Sequence, residues 1–453
     1  MTHDIISTAM GKFKISSYFL FILWIITFPW VFSGCQAIQM QFISESERYR
    51  IEADELARND RNAEAILAYR QAIIHDENNF LALKSLAKLY ASQGRGRLAL
   101  LQANKALKLT PDDSDLLVLE QSLKTLSPSN SQLKLRWQSF VVESPPTGVV
   151  ADEQQIYATF ENGIAAGLEL TTGKIIWKVK LASKITSSPV LAQGLLWFGL
   201  QDGSILAISH LDGSTQYSFG TTAPIYAPPL VTPELIYCPS SDGVLYALTY
   251  PKPAISWAYK TGSALRSSPN LYDGKLYFGS ANGRLFALNA QDGTPFWQYG
   301  ILTQGAVESQ PIVFDGRILF GSSDGRVYSL SAQTGGEYWR FSTPDGVFAS
   351  PLILDNTVYI ASIGQTLAAA DFLTGDTLWE ITTSNALLHK PLIDGQILYY
   401  TTTADPHLFA VDIQNGRSLW DLDTGDWIAA SPILAQENLV LAGKDGSILV
   451  YSR

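Results

Sequence analysis

Cysteine is nearly absent, with two thiols in 453 residues. Two cysteines cannot staple a chain of this size, so its fold must come from a hydrophobic core. Neither belongs to a C-x-x-C pair, and no H-E-x-x-H or P-loop pattern occurs, so a zinc site or a nucleotide site has no support. Charge is scarce as well. Asp, Glu, Lys and Arg make up 16% of the chain, which argues against long disordered regions. Positive charge is the scarcer sign: the net charge of -10 and pI near 5.1 disfavour a nucleic-acid partner, because phosphate binding needs clustered Lys and Arg. Apolar residues are plentiful at 46%, and the length suits two or three domains.

An apolar run from Ile15 to Phe32 follows Lys12 and Lys14 and ends in Val31-Phe32-Ser33-Gly34-Cys35. Small residues before a cysteine at the end of such a run resemble the lipobox of bacterial lipoproteins, with Phe32 where Leu is usual. The resemblance implies a signal peptide over residues 1–34, acylation of Cys35, and a tether over 35–45. Gln36 after the Cys implies sorting to the outer membrane. An uncleaved signal anchor in the inner membrane is the alternative, since the apolar run is long enough to span a bilayer. Either way the rest of the chain lies outside the cytoplasm, tethered to a membrane. With Cys35 lipidated, Cys238 is the only thiol left, and its strand-like surroundings predict a small buried hydrophobe.

Residues 46–126 are helical in pattern and repeat with an offset of 34: Ala65, Tyr69 and Ala72 correspond to Ala99, Ala103 and Ala106. Leu86, Ala87, Tyr90, Gly94, Ala99, Ala106 and Pro111 resemble a tetratricopeptide (TPR) repeat. A helix from Asp115 to Lys124 would cap the last apolar face. The resemblance implies a protein-binding groove, faced by Arg50, Lys84 and Lys88, which could receive a carboxylate. Solvated charges on a helix face are the competing reading.

Beyond a polar linker at 127–132 the chain turns to short β runs. An aromatic recurs at Trp137, Trp177, Tyr217, Trp257, Trp297, Trp339, Trp379 and Trp420, spaced 40 to 42 residues apart. A Pro opens each unit, from Pro146 to Pro432. A two-residue turn recurs at Asn162-Gly163, Asp202-Gly203, Asp242-Gly243, Asn282-Gly283, Asp324-Gly325 and Asp445-Gly446. A period near 40 with four β runs per unit predicts a β-propeller over 133–453, and the Asn-Gly and Asp-Gly pairs suit hairpin turns. One buried Trp per blade is worth roughly 4–6 kcal/mol by area as an upper bound, so the series reads as packing between blades. The last unit stops at Arg453 without its outer strand, and Leu133–Trp137 supplies one. Eight blades follow, the last completed from the N-terminal side.

Ala369-x-Asp371-x-x-Thr374-Gly375-x-x-x-Trp379 and the matching run from Ala410 to Trp420 resemble the tryptophan-docking motif of PQQ-type propellers. Two families share it. Quinoprotein dehydrogenases hold their quinone against a vicinal Cys-Cys disulfide beside Ca²⁺, whereas this chain has no such pair and only minimal blades. No catalytic residues, metal or cofactor are therefore expected, and a ligand-binding quinoprotein-like propeller is the alternative. The lipobox, eight minimal blades, acidic charge and the ending from Lys444 to Arg453 resemble instead the BamB family of outer-membrane-assembly lipoproteins. That resemblance implies a non-enzymatic scaffold facing the periplasm that docks the barrel-assembly protein. In the family a Leu-Arg loop and an acidic loop on the next blade make the contact; Leu265 and Arg266 match the first, and Glu308 the second. Ala306 stands where a second acid is expected. Leu265 reads as an exposed interface anchor, although Arg266 could equally pair with Glu308 at the rim. The helical module departs from the family, whose members pass from the lipidated Cys to the propeller almost directly.

Overall fold

The structure is a computed structural model that describes residues 44–92, 96–126, 133–297 and 301–452. The signal peptide, Cys35 and most of the tether lie outside the described residues, as does the linker at 127–132. No described helix is long and apolar enough to cross a membrane. The chain divides into a helical unit and a unit of strands.

The helical unit comprises α1 (Glu45–Arg58), α2 (Asn62–His75), α3 (Phe80–Ser92), α4 (Gly96–Leu109) and α5 (Ser114–Leu126). Ser44 caps α1 by accepting the Glu47 N–H at 3.2 Å, and Glu45 and Glu47 sit where the helix dipole favours acids. Asn79 caps α3 and Asp113 caps α5 in the same way, each accepting the N–H three residues on at 3.0 Å. Those two caps are separated by the repeat offset seen in the sequence. Ala53, Ala65, Ala72, Ala87, Ala99, Ala103 and Ala106 are all fully buried. Their small side chains let neighbouring helices approach closely.

The second unit contains eight four-stranded antiparallel sheets. Blade 1 runs Pro146–Ala151, Gln155–Phe160, Ile164–Glu169 and Ile175–Lys180, and the next six blades repeat that order. Blade 8 takes three strands from the C-terminus (Ile433–Ala435, Asn438–Ala442, Ser447–Ser452) and its fourth from Lys134–Phe140, paired from Lys134↔Ser452 to Phe140↔Ser447. First strands abut between blades 1 and 2, 2 and 3, 4 and 5, and 8 and 1. The ring is therefore closed with first strands innermost, and joining both ends of the chain in one blade removes the open edge. Middle strands are almost wholly buried, while outer strands alternate between buried and exposed.

The Trp series is positioned by a bulge. In blade 1 Gly167 pairs with Trp177 but Leu168 pairs with Ile175, so Ile176 is left over and the strand is re-aimed. The same slip recurs in blades 2, 3, 5, 6 and 7 and in the N-terminal strand. Each Trp then reaches into the following blade. Indole N–H groups donate from Trp137 to the Leu170 carbonyl at 2.9 Å, from Trp177 to His210 at 2.8 Å, and from Trp339 to Phe372 at 3.0 Å. The ring lies on the turn glycine of that following blade: a Cβ on Gly213 would stand 2.7 Å from Trp177. Gly173, Gly213, Gly293, Gly375 and Gly416 thus seat the Trp of the preceding blade rather than the Trp that follows them in sequence, while Gly335 is covered mainly by Ile301.

That pairing merges two oddities of the sequence into one. Blade 3 has Pro253 in place of the seating Gly, and blade 2, which would use that seat, has Tyr217 in place of Trp. Tyr217 stacks instead on Trp197, 6.4 Å away and nearly parallel.

Unlike the Trp residues of the other blades, Trp297 does not lie on an outer strand. The outer strand of blade 4 is only Ile301–Leu302, and Trp297 precedes it, sharing the Ala287 carbonyl with Phe296. Its indole nitrogen is buried without a partner, while Tyr277 donates to the Ala332 carbonyl at 3.1 Å. Removing an unsatisfied buried donor is close to neutral, whereas removing a satisfied one strands its acceptor. Trp339→Phe is therefore expected to cost about 1–2 kcal/mol more than Trp297→Phe, the loss of buried ring area being common to both, read as urea midpoints. Equal losses in the two variants would contradict this assignment.

Candidate functional site

Each segment that carries the chain from one outer strand to the next inner strand is pinned by one apolar residue. Ile185, Ile225, Leu265, Val307, Val347, Leu387 and Ile428 occupy this place, and all are buried. The Leu265 N–H donates to the Ser240 carbonyl at 3.1 Å, and Val307, Val347 and Leu387 make the matching bond to Ser280, Ser322 and Ser362. The pin fits over a position with no room to spare: a Cβ on Gly279 would stand 2.3 Å from Val307.

Leu265 is accordingly 0% exposed and packs in the core with Tyr237, Leu276 and Phe278. The expectation of an exposed Leu anchor is corrected here. The strand lead-in turns Leu265 inward because every blade needs an apolar residue there, and a partner meets only its neighbour in sequence.

That neighbour faces the mouth of the propeller. Tyr226, Arg266, Glu308, Phe348 and Leu388, each following a pin, line one opening of about 560 Å³. Arg266 lies 3.5 Å from a Glu308 carboxylate oxygen and 5.4 Å from the centre of the Tyr226 ring. The Arg side chain is 49% exposed and the Glu 23%, so the pair is a surface contact worth little to stability. Its value lies in orientation, since Tyr226 and Glu308 hold the guanidinium at the mouth. Tyr226 and Leu388 are 40% and 47% exposed, giving an apolar flank on either side of the charged pair. Ala306 precedes the pin, and its N–H donates to Ser323 Oγ at 2.8 Å.

Arg266 and Glu308 are thus brought together across two blades, as one of the two sequence readings held. Tyr226, Phe348 and Leu388 were missed. The signal was present: they are the residues after the repeating apolar pin, visible once the blades are aligned on that pin rather than on the Trp.

The three candidate groove residues of the helical unit already have partners. Arg50 bonds Glu47 and Asp54, Lys84 lies 2.6 Å from Asp113 and 3.2 Å from Asp115, and Lys88 lies 2.8 Å from Asp115. Hydrogen bonding to Lys84 holds the Asp113 carboxyl below its ordinary range, and the same bond raises Lys84. These are surface ion pairs, with Lys88 and Asp115 about half exposed, as the reading of solvated charges on a helix face expects. Cys238 is a buried free thiol, as its surroundings suggested, and desolvation pushes its pKa up. Among the described residues no three His, Cys, Asp or Glu side chains are placed to hold a metal.

A family model described as "Outer membrane protein assembly factor BamB" matches residues 132–225, 161–322, 304–389 and 323–453. Among solved structures, BamB from Moraxella catarrhalis superposes with a TM-score of 0.62 at 18% identity, over 71% of this chain and 98% of that one. The computationally designed Ika8 protein superposes with a TM-score of 0.61 at 17% identity, over 69% of this chain and 97% of its own. At these identities the likeness to solved structures speaks to fold alone. No curated protein matches the sequence.

Proposed function

Because this chain belongs to the BamB family of outer membrane assembly factors, we propose that it acts as a non-enzymatic scaffold in outer-membrane protein assembly, with the propeller mouth as its docking face. Arg266, oriented by Tyr226 and Glu308 between two exposed apolar residues, is the observation that supports this reading. A guanidinium held in place beside apolar surface is the kind of anchor at which binding energy concentrates. The partner is the barrel-assembly protein, and Arg266 meets an acidic or carbonyl-rich surface on it. Acylation at Cys35 would hold the propeller at the outer membrane on its periplasmic side. The helical unit, resembling TPR repeats, adds a second protein contact that uses faces other than the paired Arg50, Lys84 and Lys88.

Affinity purification from solubilised outer membranes tests the proposal. The wild-type chain is expected to recover the barrel-assembly protein, and Arg266→Glu to reduce that recovery at least about tenfold, because a like charge at a docked surface costs several kcal/mol. A chain lacking residues 40–127 should still recover it. Absence of every barrel-assembly component from the wild-type eluate would sink the reading.

A further inference from the structure

Two blades differ from the rest at the end of the strands remote from the mouth. The second strand starts with Gln155, Leu195, Leu235, Thr357, Ile397 and Asn438 in blades 1, 2, 3, 6, 7 and 8. In blades 4 and 5 it starts with a cation, Lys275 and Arg317. Each cation lies over an aromatic ring of its own blade. Lys275 Nζ is 4.5 Å from the centre of Phe296, and the Arg317 guanidinium carbon is 4.0 Å from the centre of Tyr338. Lys275 is also neutralised, with an Asp273 oxygen at 3.0 Å. Arg317 is not: among the described residues no carboxylate forms an ion pair with it. Asp371 is near enough to feel its charge, but the Asp371 oxygens accept the Leu373 and Thr374 N–H groups and the Asn356 amide at 2.8–2.9 Å.

The unpaired guanidinium is nevertheless held in place. It sits between Tyr338 and Phe372, whose ring centre is 5.4 Å away, and its Nη1 donates to the Leu373 carbonyl at 2.9 Å. Phe314, directly opposite Arg317 in the hairpin, packs edge-on against Phe372 with ring centres 5.4 Å apart. One contiguous cluster therefore joins blades 5 and 6, and Phe314, Tyr338 and Leu373 are each about half exposed around it. The fold does not require Tyr338 or Leu373. Tyr338 is the residue left over by the bulge, where blades 2 and 3 carry Gln216 and Ser256. At the place of Leu373, two residues before the turn glycine, blades 4, 5 and 7 carry Gln291, Gln333 and Gln414. An oriented Arg ringed by exposed aromatic and Leu side chains has the composition of an interface anchor.

We propose that Phe314, Arg317, Tyr338 and Leu373 form a second docking surface, for a protein segment that sets a carboxylate against Arg317 beside an apolar side chain. The carboxylate supplies the counter-charge that this chain gives Lys275 but withholds from Arg317, and a planar guanidinium fixed on both faces offers its edge to it. The apolar neighbour covers the exposed parts of Phe314 and Leu373. An anionic membrane fits less well. Asp315 and the Asp273 carboxylate stand exposed beside the two cations, whereas lipid headgroups bind where cations are in surplus. The surface lies at the opposite end of the strands from Arg266 and does not depend on the docking role proposed above.

Photocrosslinking in living cells tests this, using the full chain with p-benzoylphenylalanine in place of Phe314. Irradiation is expected to give a protein adduct whose crosslinked segment, sequenced by mass spectrometry, carries Asp or Glu beside a large apolar residue. Adding Arg317→Glu should cut the yield of that adduct at least about tenfold, because it sets like charges face to face. Adding Leu373→Gln should cut it about fivefold through lost apolar contact, and it keeps the fold because three other blades carry Gln at that place. Arg266→Glu should leave the yield unchanged. Absence of any protein adduct, an adduct to lipid alone, or a crosslinked segment without a carboxylate would overturn the proposal. So would an unchanged yield in both variants, or an equal loss in Arg266→Glu, which would assign the adduct to the mouth.

Discussion

Gly446→Ala is expected to destabilise the propeller by about 3–5 kcal/mol, although it adds only one methyl group to a hairpin turn. The Asp445-Gly446 turn of blade 8 holds Gly446 at φ +83°, where an L-residue costs about 1–2 kcal/mol. Steric contact costs more. A Cβ there would fall 1.5 Å from the Val142 carbonyl oxygen, and the Gly446 carbonyl accepts the Val141 N–H at 3.1 Å. Backbone is pressed against backbone at the point where the N-terminal strand leaves blade 8, so the methyl must push that strand's end away. Gly243 is the control. It occupies the same turn in blade 3 at φ +81°, but its nearest obstruction is Ser263 at 3.1 Å. Gly243→Ala should cost about 1–2 kcal/mol, from backbone strain alone. Urea unfolding of the two variants measures the difference, and equal midpoints would remove the special role given to Gly446.

Trp137→Ala should cost about 3–5 kcal/mol, and its effect should spread beyond the site. Trp137 belongs to the strand that completes blade 8, yet its indole N–H donates to Leu170 of blade 1 and its ring covers Gly173 there. One side chain therefore ties the closing strand to the blades on both sides of the seam. Its loss leaves a cavity and strands the Leu170 carbonyl, and it frees Lys134–Phe140 to detach and expose the edge at Ser447–Ser452. Hydrogen exchange in Ser447–Ser452 should accelerate in Trp137→Ala while the central strands of blade 4 keep wild-type protection. Uniform acceleration across all blades would show that closure is not a local event.

Much of the ring was legible because each blade is specified locally. In the Asp-Gly and Asn-Gly turns the Gly alone takes positive φ, not both central residues as a type I′ turn requires, and the Asp or Asn accepts the N–H two residues on, as Asp202 does from Ser204 at 2.9 Å, so their period survives in the sequence. The closing of blade 8 by Lys134–Phe140 was legible too, because a unit short of one strand at its end and a spare strand before its start have one joint solution. The site was less so. Leu265 and Arg266 are neighbours of contrasting type, and composition could not say which one a partner meets.

The sequence by itself determined the architecture: a helical module with a repeat offset of 34, then eight short-stranded units with one aromatic in each. Those features depend on spacing along the chain, and strand period, turn chemistry and helix caps act over a few residues. Tertiary structure alone decided who meets whom across blades. It paired five of the Trp residues with the glycine of the following blade, joined the departures at Tyr217 and Pro253, buried Leu265, and set Arg266 between Tyr226 and Glu308. Those outcomes turn on ring closure and on the direction a side chain takes from its strand, and both are fixed only when blades some forty residues apart in sequence are packed side by side.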